Sequence, residues 1–324
     1  MGTKTGIEWT DATWNPIRGC TRVSEGCRNC YAEKVAYRFS KPGLAYEGLA
    51  VLRNGHASWT GKVDFVEKHL LDPVKWRTPR KIFVNSMSDL FHESVPDEWI
   101  DKIFGVMALC PQHTFQVLTK RPQRMFDYFN ASVGGRLDVR GALIGSQASP
   151  IHLKRTDNPF LEWSGLPMPN VWLGVSVENQ KAADERIPLL LRTAAAVRFI
   201  SAEPLLGPIN LCAVPDSKTR PQEFSARYTP CGDLDWVICG GESGSGASVR
   251  SMKAAWARQL RDECVDAGVP FFFKQWGEWV PTEDPSVAAA RGVPLEDCMS
   301  YVGKKAAGAL LDGREWHQFP EVRR

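Results

Sequence analysis

The sequence predicts an α/β fold, a full or partial (β/α) barrel of the TIM type with parallel strands and irregular insertions. Six short apolar strands alternate with helical segments along the chain of 324 residues, which is typical of a parallel sheet. Unusual polar residues stand directly after the strands, where barrel enzymes carry their active sites. A doubly wound open sheet is the competing architecture, although no G-x-G-x-x-G motif follows the first strand.

The first third of the chain opens with a cysteine-rich segment that would supply one further strand end. A helix is predicted from Cys30 to Ser40, because Tyr31, Val35 and Phe39 recur on one face, and Lys41-Pro42-Gly43 ends it. Residues 44–80 are predicted to be irregular, with one short helix near 65–72.

The remaining elements alternate regularly. Strands are predicted at 81–86, 114–118, 171–176, 197–201, 235–239 and 270–273, because each is a short apolar run bounded by polar or turn residues. Helices are predicted at 96–109, 122–130, 179–193 and 253–267. Pro96 and Pro122 stand in first turns, and Gly268 is a helix stop. Asp312-Gly313 predicts a hairpin turn in the tail.

The predicted domain organisation is one barrel with a small addition. The barrel takes residues 1–280, with insertions at about 134–170 and 207–233 that lack periodicity, and residues 281–324 form a C-terminal extension packed on it. The first insertion is interpreted as a lid.

Composition points to a globular protein of the cytoplasm. The hydrophobic fraction of 43% and the charged fraction of 24% are ordinary values, and the net charge of +3 does not by itself require nucleic acid. No run of 18 apolar residues is present, so no membrane span is expected, and the polar N-terminus lacks the apolar core of a signal peptide. A reducing compartment is the default expectation.

Cys20, Cys27 and Cys30 form the one cluster among nine cysteines, with the spacing C-x6-C-x2-C. Close thiolates are costly unless a cation neutralises them, which indicates a metal or an iron–sulfur cluster. A [4Fe–4S] cluster held by three cysteines keeps one iron open for a ligand. The alternatives are a zinc site completed by His56 or His92, and three unliganded thiols.

Candidate site residues follow the other strands. If the strands are parallel, these residues meet at one mouth with the cysteines; in the alternative, each only caps a helix or ends its strand. They are Asp89, Lys120, Arg121, Ser176, Glu178, Asn179, Glu203, Glu242, Ser243, Lys274 and Gln275. The glycines around Glu242, from Gly240 to Gly246, lack the Lys-Ser/Thr ending of a P-loop.

Several motifs carry a family resemblance. Trp14-Asn15-Pro16, Cys30-Tyr31-Ala32, residues 85–91, residues 201–206 and Phe273-Lys274-Gln275-Trp276-Gly277 resemble those of a phage-associated three-Cys-motif protein family of uncharacterised function. So do residues 118–122, 172–179 and 240–244. More remotely, the layout is similar to radical S-adenosylmethionine enzymes of the spore photoproduct lyase kind. Two features depart from the commonest radical pattern: the C-x6-C-x2-C spacing, and Asn29 where an aromatic residue is usual.

This remote resemblance implies a cofactor set. Cys20, Cys27 and Cys30 would ligate a [4Fe–4S] cluster, and S-adenosyl-L-methionine would bind beside it. Ser88 and Asp89 would hold the methionine amino group, Lys120 would approach its carboxylate, and Ser176 or Glu178 would meet the ribose. An electron donor is implied as a partner.

The expected function is therefore a radical S-adenosylmethionine enzyme that modifies DNA, RNA or a nucleotide. Glu203, Glu242 and Lys274 are the candidate catalytic residues. Two alternatives stay open: a zinc-stabilised, non-catalytic binding module of phage origin, and a hydrolase that uses Asp89, Glu203 and Glu242 as acid and base groups.

Overall fold

A parallel sheet of seven strands forms the framework of the protein. The computed structural model describes residues 5–132, 167–215, 230–244, 248–282 and 284–321. The strands of this sheet follow one another in chain order, and the first and last strands do not pair with each other. The fold is thus a partial TIM-type barrel, which confirms the predicted class. Its strands are β1 (Ala12–Trp14), β6 (Lys81–Val84), β7 (Thr114–Thr119), β8 (Val171–Ser176), β9 (Val197–Ala202), β10 (Trp236–Gly240) and β11 (Phe271–Gln275).

Strand order follows chain order within this sheet, so each pair of neighbours requires a crossover connection. The longer helices supply most of these connections, and they match the predicted helices to within a few residues. They are α1 (Tyr31–Arg38), α2 (Asp97–Ala108), α3 (Pro122–Ser132), α4 (Gln180–Leu191) and α5 (Ala254–Ala267). Every residue of β8 and β10 is buried, as expected for a parallel sheet covered on both faces.

Residues 44–80 contain more regular structure than the sequence analysis predicted. β3 (Ala50–Arg53) and β4 (His56–Trp59) form an antiparallel hairpin, and β5 (Asp64–Phe65) pairs with β2 (Ile17–Arg18). Asn54 and Gly55 both have positive φ at the hairpin turn. The prediction of an irregular segment was therefore wrong, and Asn54-Gly55 was the turn signal that it overlooked. The short helix predicted near 65–72 is a 3-10 turn at Glu67–His69.

Contacts divide the chain into two compact units. The first contains residues 1–22, 32–174 and 192–196, and the second contains residues 23–31, 175–191 and 197–324. The residues after 280 belong to the same unit as β9 to β11, and the predicted domain boundary at residue 280 stays a prediction. The predicted insertion at 134–170 lies outside the described residues except for 167–170, and so do residues 216–229 of the second insertion.

In the second unit the C-terminal residues form backbone hydrogen bonds with β11. The Phe273 N–H donates to the Trp316 carbonyl at 2.7 Å, and Phe272 forms an antiparallel bridge with His317. Leu311 and Arg314 form a further bridge around Asp312 and Gly313, which confirms the predicted hairpin turn. The smaller elements here are β12 (Trp279–Pro281), α6 (Pro285–Arg291), β13 (Met299–Tyr301) and α7 (Lys304–Ala307).

Candidate cysteine site

Cys20 lies in the first unit, directly beyond β1 and β2. Gly19 forms a parallel bridge with Ser88, so the cysteine segment is joined to the loop that follows β6. Gly19 has φ +88°, and a Cβ there would overlap the Lys62 carbonyl oxygen, so this position requires glycine. The Ser88 hydroxyl donates to the Ile17 carbonyl at 2.9 Å. The loops after β1 and β6 therefore meet at the carboxyl end of the sheet.

Arg121, at the end of β7, joins a third loop to Cys20. Its Nη1 lies 3.7 Å from Cys20 Sγ and 3.1 Å from Asp89 Oδ2. Its Nε donates to both carboxylate oxygens of Glu93 at 2.9 Å, and its Nη2 donates to Thr21 Oγ1 at 2.7 Å. Burial would lower the pKa of Arg121, but the charges of Asp89 and Cys20 raise it, so the guanidinium stays charged.

Asp89 joins these loops by accepting hydrogen bonds from several of their residues. Its Oδ1 accepts from Thr119 Oγ1 at 2.7 Å and from the Phe91 N–H at 3.0 Å, and its Oδ2 accepts from the Lys120 N–H and Arg121 Nη1. A carboxylate offers about four acceptor positions, so this set uses its whole capacity. The contacts identify Asp89 as a structural anchor for the strand ends, and its predicted contact with a methionine amino group stays a prediction.

His92 closes the network on the other side of Thr21. Its Nδ1 accepts from the Ser94 N–H at 3.1 Å, so Nε2 carries the proton and donates to Thr21 Oγ1 at 3.0 Å. Burial and the nearby Arg121 charge lower the pKa of His92, which favours this neutral form. Both ring nitrogens thus have protein partners. His56, the other candidate zinc ligand, is exposed at the tip of the β3–β4 hairpin.

Cys27 and Cys30 lie in the second unit. Cys27 ends a 3-10 turn at Glu25–Cys27, and Cys30 directly precedes α1. The Cys30 N–H donates to the Cys27 carbonyl at 3.3 Å, which makes this part of the segment one compact turn.

Asn29 ties that turn to the loop after β10. Its Nδ2 donates to Glu242 Oε2 at 2.8 Å and to the Ser248 carbonyl at 2.9 Å. Glu242 also receives the Arg250 guanidinium on both oxygens and the Arg250 N–H at 2.9 Å. Burial alone would raise the pKa of Glu242, but the bonds from Arg250 and Asn29 outweigh it and lower the pKa. An aromatic residue at position 29 could not make these bonds, which explains this departure from the commonest radical pattern.

Glu178 supports the same turn from the end of β8. It is buried and pairs with Arg186, whose Nη1 lies 3.0 Å from Oε2 and also donates to the Ser176 carbonyl at 2.7 Å. A Cβ at Gly26 would lie 3.2 Å from the Glu178 side-chain carboxyl carbon, so residue 26 must be small. Asn179 also contacts this turn, since its side-chain amide donates to Glu25.

Two catalytic candidates form a pair elsewhere in the second unit. Lys274 Nζ donates to Glu203 Oε1 at 2.6 Å, between the ends of β11 and β9. Gly240, on the intervening strand, lies beneath them, since a Cβ there would be 3.4 Å from the Glu203 carboxyl carbon. Glu242, the third catalytic candidate, belongs to the Asn29 network instead. Gln275 donates to Ser243 Oγ at 3.1 Å.

The chemistry of the donor set fits a thiolate-bound cluster. The three cysteines are half-buried thiols outside any disulfide. In the described ranges, no three His, Cys, Asp or Glu side chains are gathered to hold one metal ion. A cubane cluster binds each thiolate to a different iron, so its ligands do not converge on a single point as they do at zinc. The cluster at the three cysteines stays a prediction.

A comparison with protein-family models places these features in a family. The model described as "Protein of unknown function (DUF5131)" matches residues 4–320, nearly the whole chain. The chain belongs to the DUF5131 family. No curated protein and no solved structure matches it significantly. The DUF5131 assignment supplies no chemistry, so function must be argued from the residues.

Three residues that matter in this DUF5131 chain were not predicted as site residues. Arg186 and Arg250 neutralise Glu178 and Glu242, and Asn29 links the cysteine turn to Glu242. A buried carboxylate is costly unless it is paired with a cation or hydrogen-bonded, so the glutamates indicated that such partners lie nearby. The positions of Glu178 and Glu242 in the sequence do not show which arginine pairs with each of them.

Proposed function

We propose that this protein is a radical S-adenosylmethionine enzyme. Cys20, Cys27 and Cys30 hold a [4Fe–4S] cluster, and the substrate is a nucleic acid or nucleotide. The partial parallel barrel is compatible with the fold of such enzymes. A cluster of this kind supplies the electron that cleaves S-adenosylmethionine to a 5′-deoxyadenosyl radical.

The observation that carries the proposal is the attachment of the Cys20 segment to the carboxyl end of the sheet. The Gly19–Ser88 bridge and the contact of Arg121 with Cys20 bring the loops after β1, β6 and β7 together around this thiol. Barrel enzymes place their reactive groups at this end of the strands. A cysteine whose role was only to fold the N-terminus would not require three strand-end loops around it.

The contacts suggest how the residues divide their roles. Asp89 and Glu178 are held by arginines, so we assign them to orienting the loops that surround the cofactors. The Lys120 side chain makes no hydrogen bond or ion pair with the described residues, so it is the better candidate for a substrate carboxylate, such as that of S-adenosylmethionine. Ser176 ends β8 and remains the candidate for the ribose. The Glu203–Lys274 pair is suited to moving a proton at the strand ends.

Iron and sulfide analysis after anaerobic reconstitution tests the cluster. We expect about four irons and about four sulfides per wild-type chain, the content of one [4Fe–4S] cluster. Cys27→Ala should lose most of both, because it removes one ligand. Cys212→Ala is the matched control, since Cys212 is an exposed thiol outside the motif. Equal iron in Cys27→Ala and wild type would refute the ligand assignment, and so would a single bound zinc without sulfide.

A further inference from the structure

The segment after Cys30 builds a small lobe of the first unit, which we call the α1–hairpin lobe and define as residues 32–60. Polar contacts join its elements to one another and to residues 18–22. Glu33 is buried and accepts from Arg22 Nη2 at 2.6 Å and from the Trp59 N–H at 3.2 Å. The Arg18 guanidinium lies 5.0 Å from the centre of the buried Tyr46 ring. These contacts fix the helix, the loop and the hairpin to one another.

The outer residues of the α1–hairpin lobe are unusually apolar for a surface. Tyr37 is 37% exposed, Phe39 49% and Leu52 51%. Thirteen large apolar side chains are exposed in the part of the chain that the structure describes, and five of them fall between residues 37 and 52. Exposed apolar residues scattered singly need no explanation, but this concentration indicates a surface that contacts another molecule.

The charges beside these residues are almost all positive. Arg38, Lys41 and Arg53 are exposed, and none of them takes part in an ion pair among the described residues. Of the two acidic residues in the lobe, Glu33 is buried against Arg22, and the exposed Glu47 accepts from the Gly43 N–H at 2.7 Å. Cations alternate with aromatic residues at Tyr37-Arg38-Phe39, and Arg53 follows Leu52.

The exposed apolar and basic residues continue along the β3–β4 hairpin. Arg53 pairs with His56 across the turn, and all residues from 51 to 56 are exposed, whereas Ala50 and Trp59 at its base are buried. The hairpin therefore projects into solvent with a basic tip.

Unpaired cations next to exposed aromatic rings match the chemistry of single-stranded nucleic acid, whose phosphates need positive charge and whose bases stack on flat rings. An acidic protein partner would explain the exposed cations but would not explain why aromatic rings alternate with them. We propose that the α1–hairpin lobe is a docking surface for single-stranded DNA or RNA. This inference rests on the proposed function, because it names the surface that receives the substrate.

Two further observations favour this position. Arg121, one of the residues predicted to meet at the mouth with the cysteines, is buried against Asp89 and Glu93, and these two carboxylates neutralise its charge. Phosphate contacts must therefore come from other residues. Arg38 ends α1 and follows Cys30 by eight positions in the chain.

The test measures binding of fluorescent 15-nucleotide single strands, of DNA and of RNA, to the full chain without cluster or S-adenosylmethionine. We expect Arg38→Glu with Arg53→Glu to weaken binding and to reduce the slope of log affinity against log salt by about 1.4, since each lost phosphate contact removes about 0.7 on single strands. Lys181→Glu with Lys305→Glu makes the same charge change at exposed positions outside the lobe and should leave the slope unchanged.

Phe39→Ala separates stacking from charge. It should weaken binding by about fivefold or more, because stacking of one base on an aromatic ring contributes about 1–3 kcal/mol. The salt slope should stay at its wild-type value.

Three results would overturn the docking assignment. The first is that the wild type binds no single strands at low salt. The second is that the lobe variant and the Lys181/Lys305 control lose the same amount of binding affinity. The third is that the chain self-associates and that Leu52→Glu abolishes this self-association without changing oligonucleotide binding. Because the measurement uses protein without the cluster, these results do not depend on whether a cluster forms. Failure of iron incorporation would count against the proposed function alone.

Discussion

Arg121 decides the environment of Cys20 at the scale of single residues. Its guanidinium is buried and contacts a thiol, two carboxylates and a threonine hydroxyl. A buried cation of this kind is tolerated only because each donor has a partner. In a cluster-loaded protein, a positive charge beside a cysteine sulfur is also a means of tuning the reduction potential.

Removing that cation should destabilise the fold strongly. Arg121→Met leaves the buried Asp89 carboxylate without its charge partner, and breaking a buried pair costs about 3–5 kcal/mol. Lys181→Met breaks an exposed pair with Glu185 and should cost about 1 kcal/mol or less. Urea unfolding of the two variants measures both free energies. Equal, small losses would show that the Arg121 network is not a structural anchor.

His113 predicts a dependence of stability on pH. Its ring is buried, Nε2 contacts the Pro73 carbonyl at 3.1 Å, and burial lowers its pKa from the ordinary value of 6.5. Below about pH 6.5 the unfolded chain therefore binds a proton at this site that the folded chain resists, so stability falls as the pH falls.

Urea unfolding at several pH values between about 7.5 and 5.5 tests this assignment, because the ordinary histidine pKa lies in that window. The stability advantage of the wild type over His113→Gln should shrink as the pH is lowered, because the variant has no such group to protonate. A difference between His113→Gln and the wild type that stays constant over this pH range would contradict the assignment.

At the scale of elements, the ends of β10 and β11 are interlocked backbone to backbone. A Cβ at Gly241 would overlap the Trp276 carbonyl oxygen, and a Cβ at Gly277 would overlap the Glu242 carbonyl oxygen. Gln275 spans the same gap, since its amide donates to the Gly241 carbonyl at 2.8 Å. Gly241 and Gly277 thus allow the close packing of these strand ends.

Gly241→Ala should therefore reduce stability markedly. The new methyl group meets rigid backbone, and overpacking of this kind typically costs about 1–3 kcal/mol. Gly6→Ala is the matched control, because a Cβ added at Gly6 would have no other atom within 4 Å and the residue has no positive φ. Thermal unfolding that shows the same midpoint for Gly241→Ala and the wild type would refute the close approach.

The sequence predicted the regular elements better than their connections. The strands at β6 to β11 are apolar runs that any partner strand would bury, so local pattern suffices to find them. The β3–β4 hairpin was missed because its outer residues are exposed and show no alternation of apolar and polar residues; only Asn54-Gly55 marked it.

For the site as well, the sequence predicted the residues better than their contacts. Cys20, Asp89 and Arg121 were all expected at strand ends, and the first unit brings them together. Asp89 accepts all of its hydrogen bonds from protein groups. The sequence could not predict this, because the pairing depends on which loops meet after folding. Asn29 was noted only as a departure from a pattern, and its bond to Glu242 joins residues 213 positions apart.

At the scale of the whole molecule, the architecture is the part that the sequence predicts. A partial parallel barrel follows from the alternation of strands and helices, and the family match extends over residues 4–320. The contacts divide this chain into two interleaved units, a feature with no signal in composition or linker sequence. No helix among the described residues is long and apolar enough to cross a membrane.

The proposed function requires an open iron on a cluster held by Cys20, Cys27 and Cys30. Its most direct test is the electron paramagnetic resonance spectrum of the anaerobically reconstituted, reduced protein, recorded with and without S-adenosylmethionine. We expect a [4Fe–4S] signal that shifts on addition of the cofactor, together with formation of 5′-deoxyadenosine. A colourless protein that binds zinc, or a cluster whose signal does not respond to the cofactor, would contradict the claim.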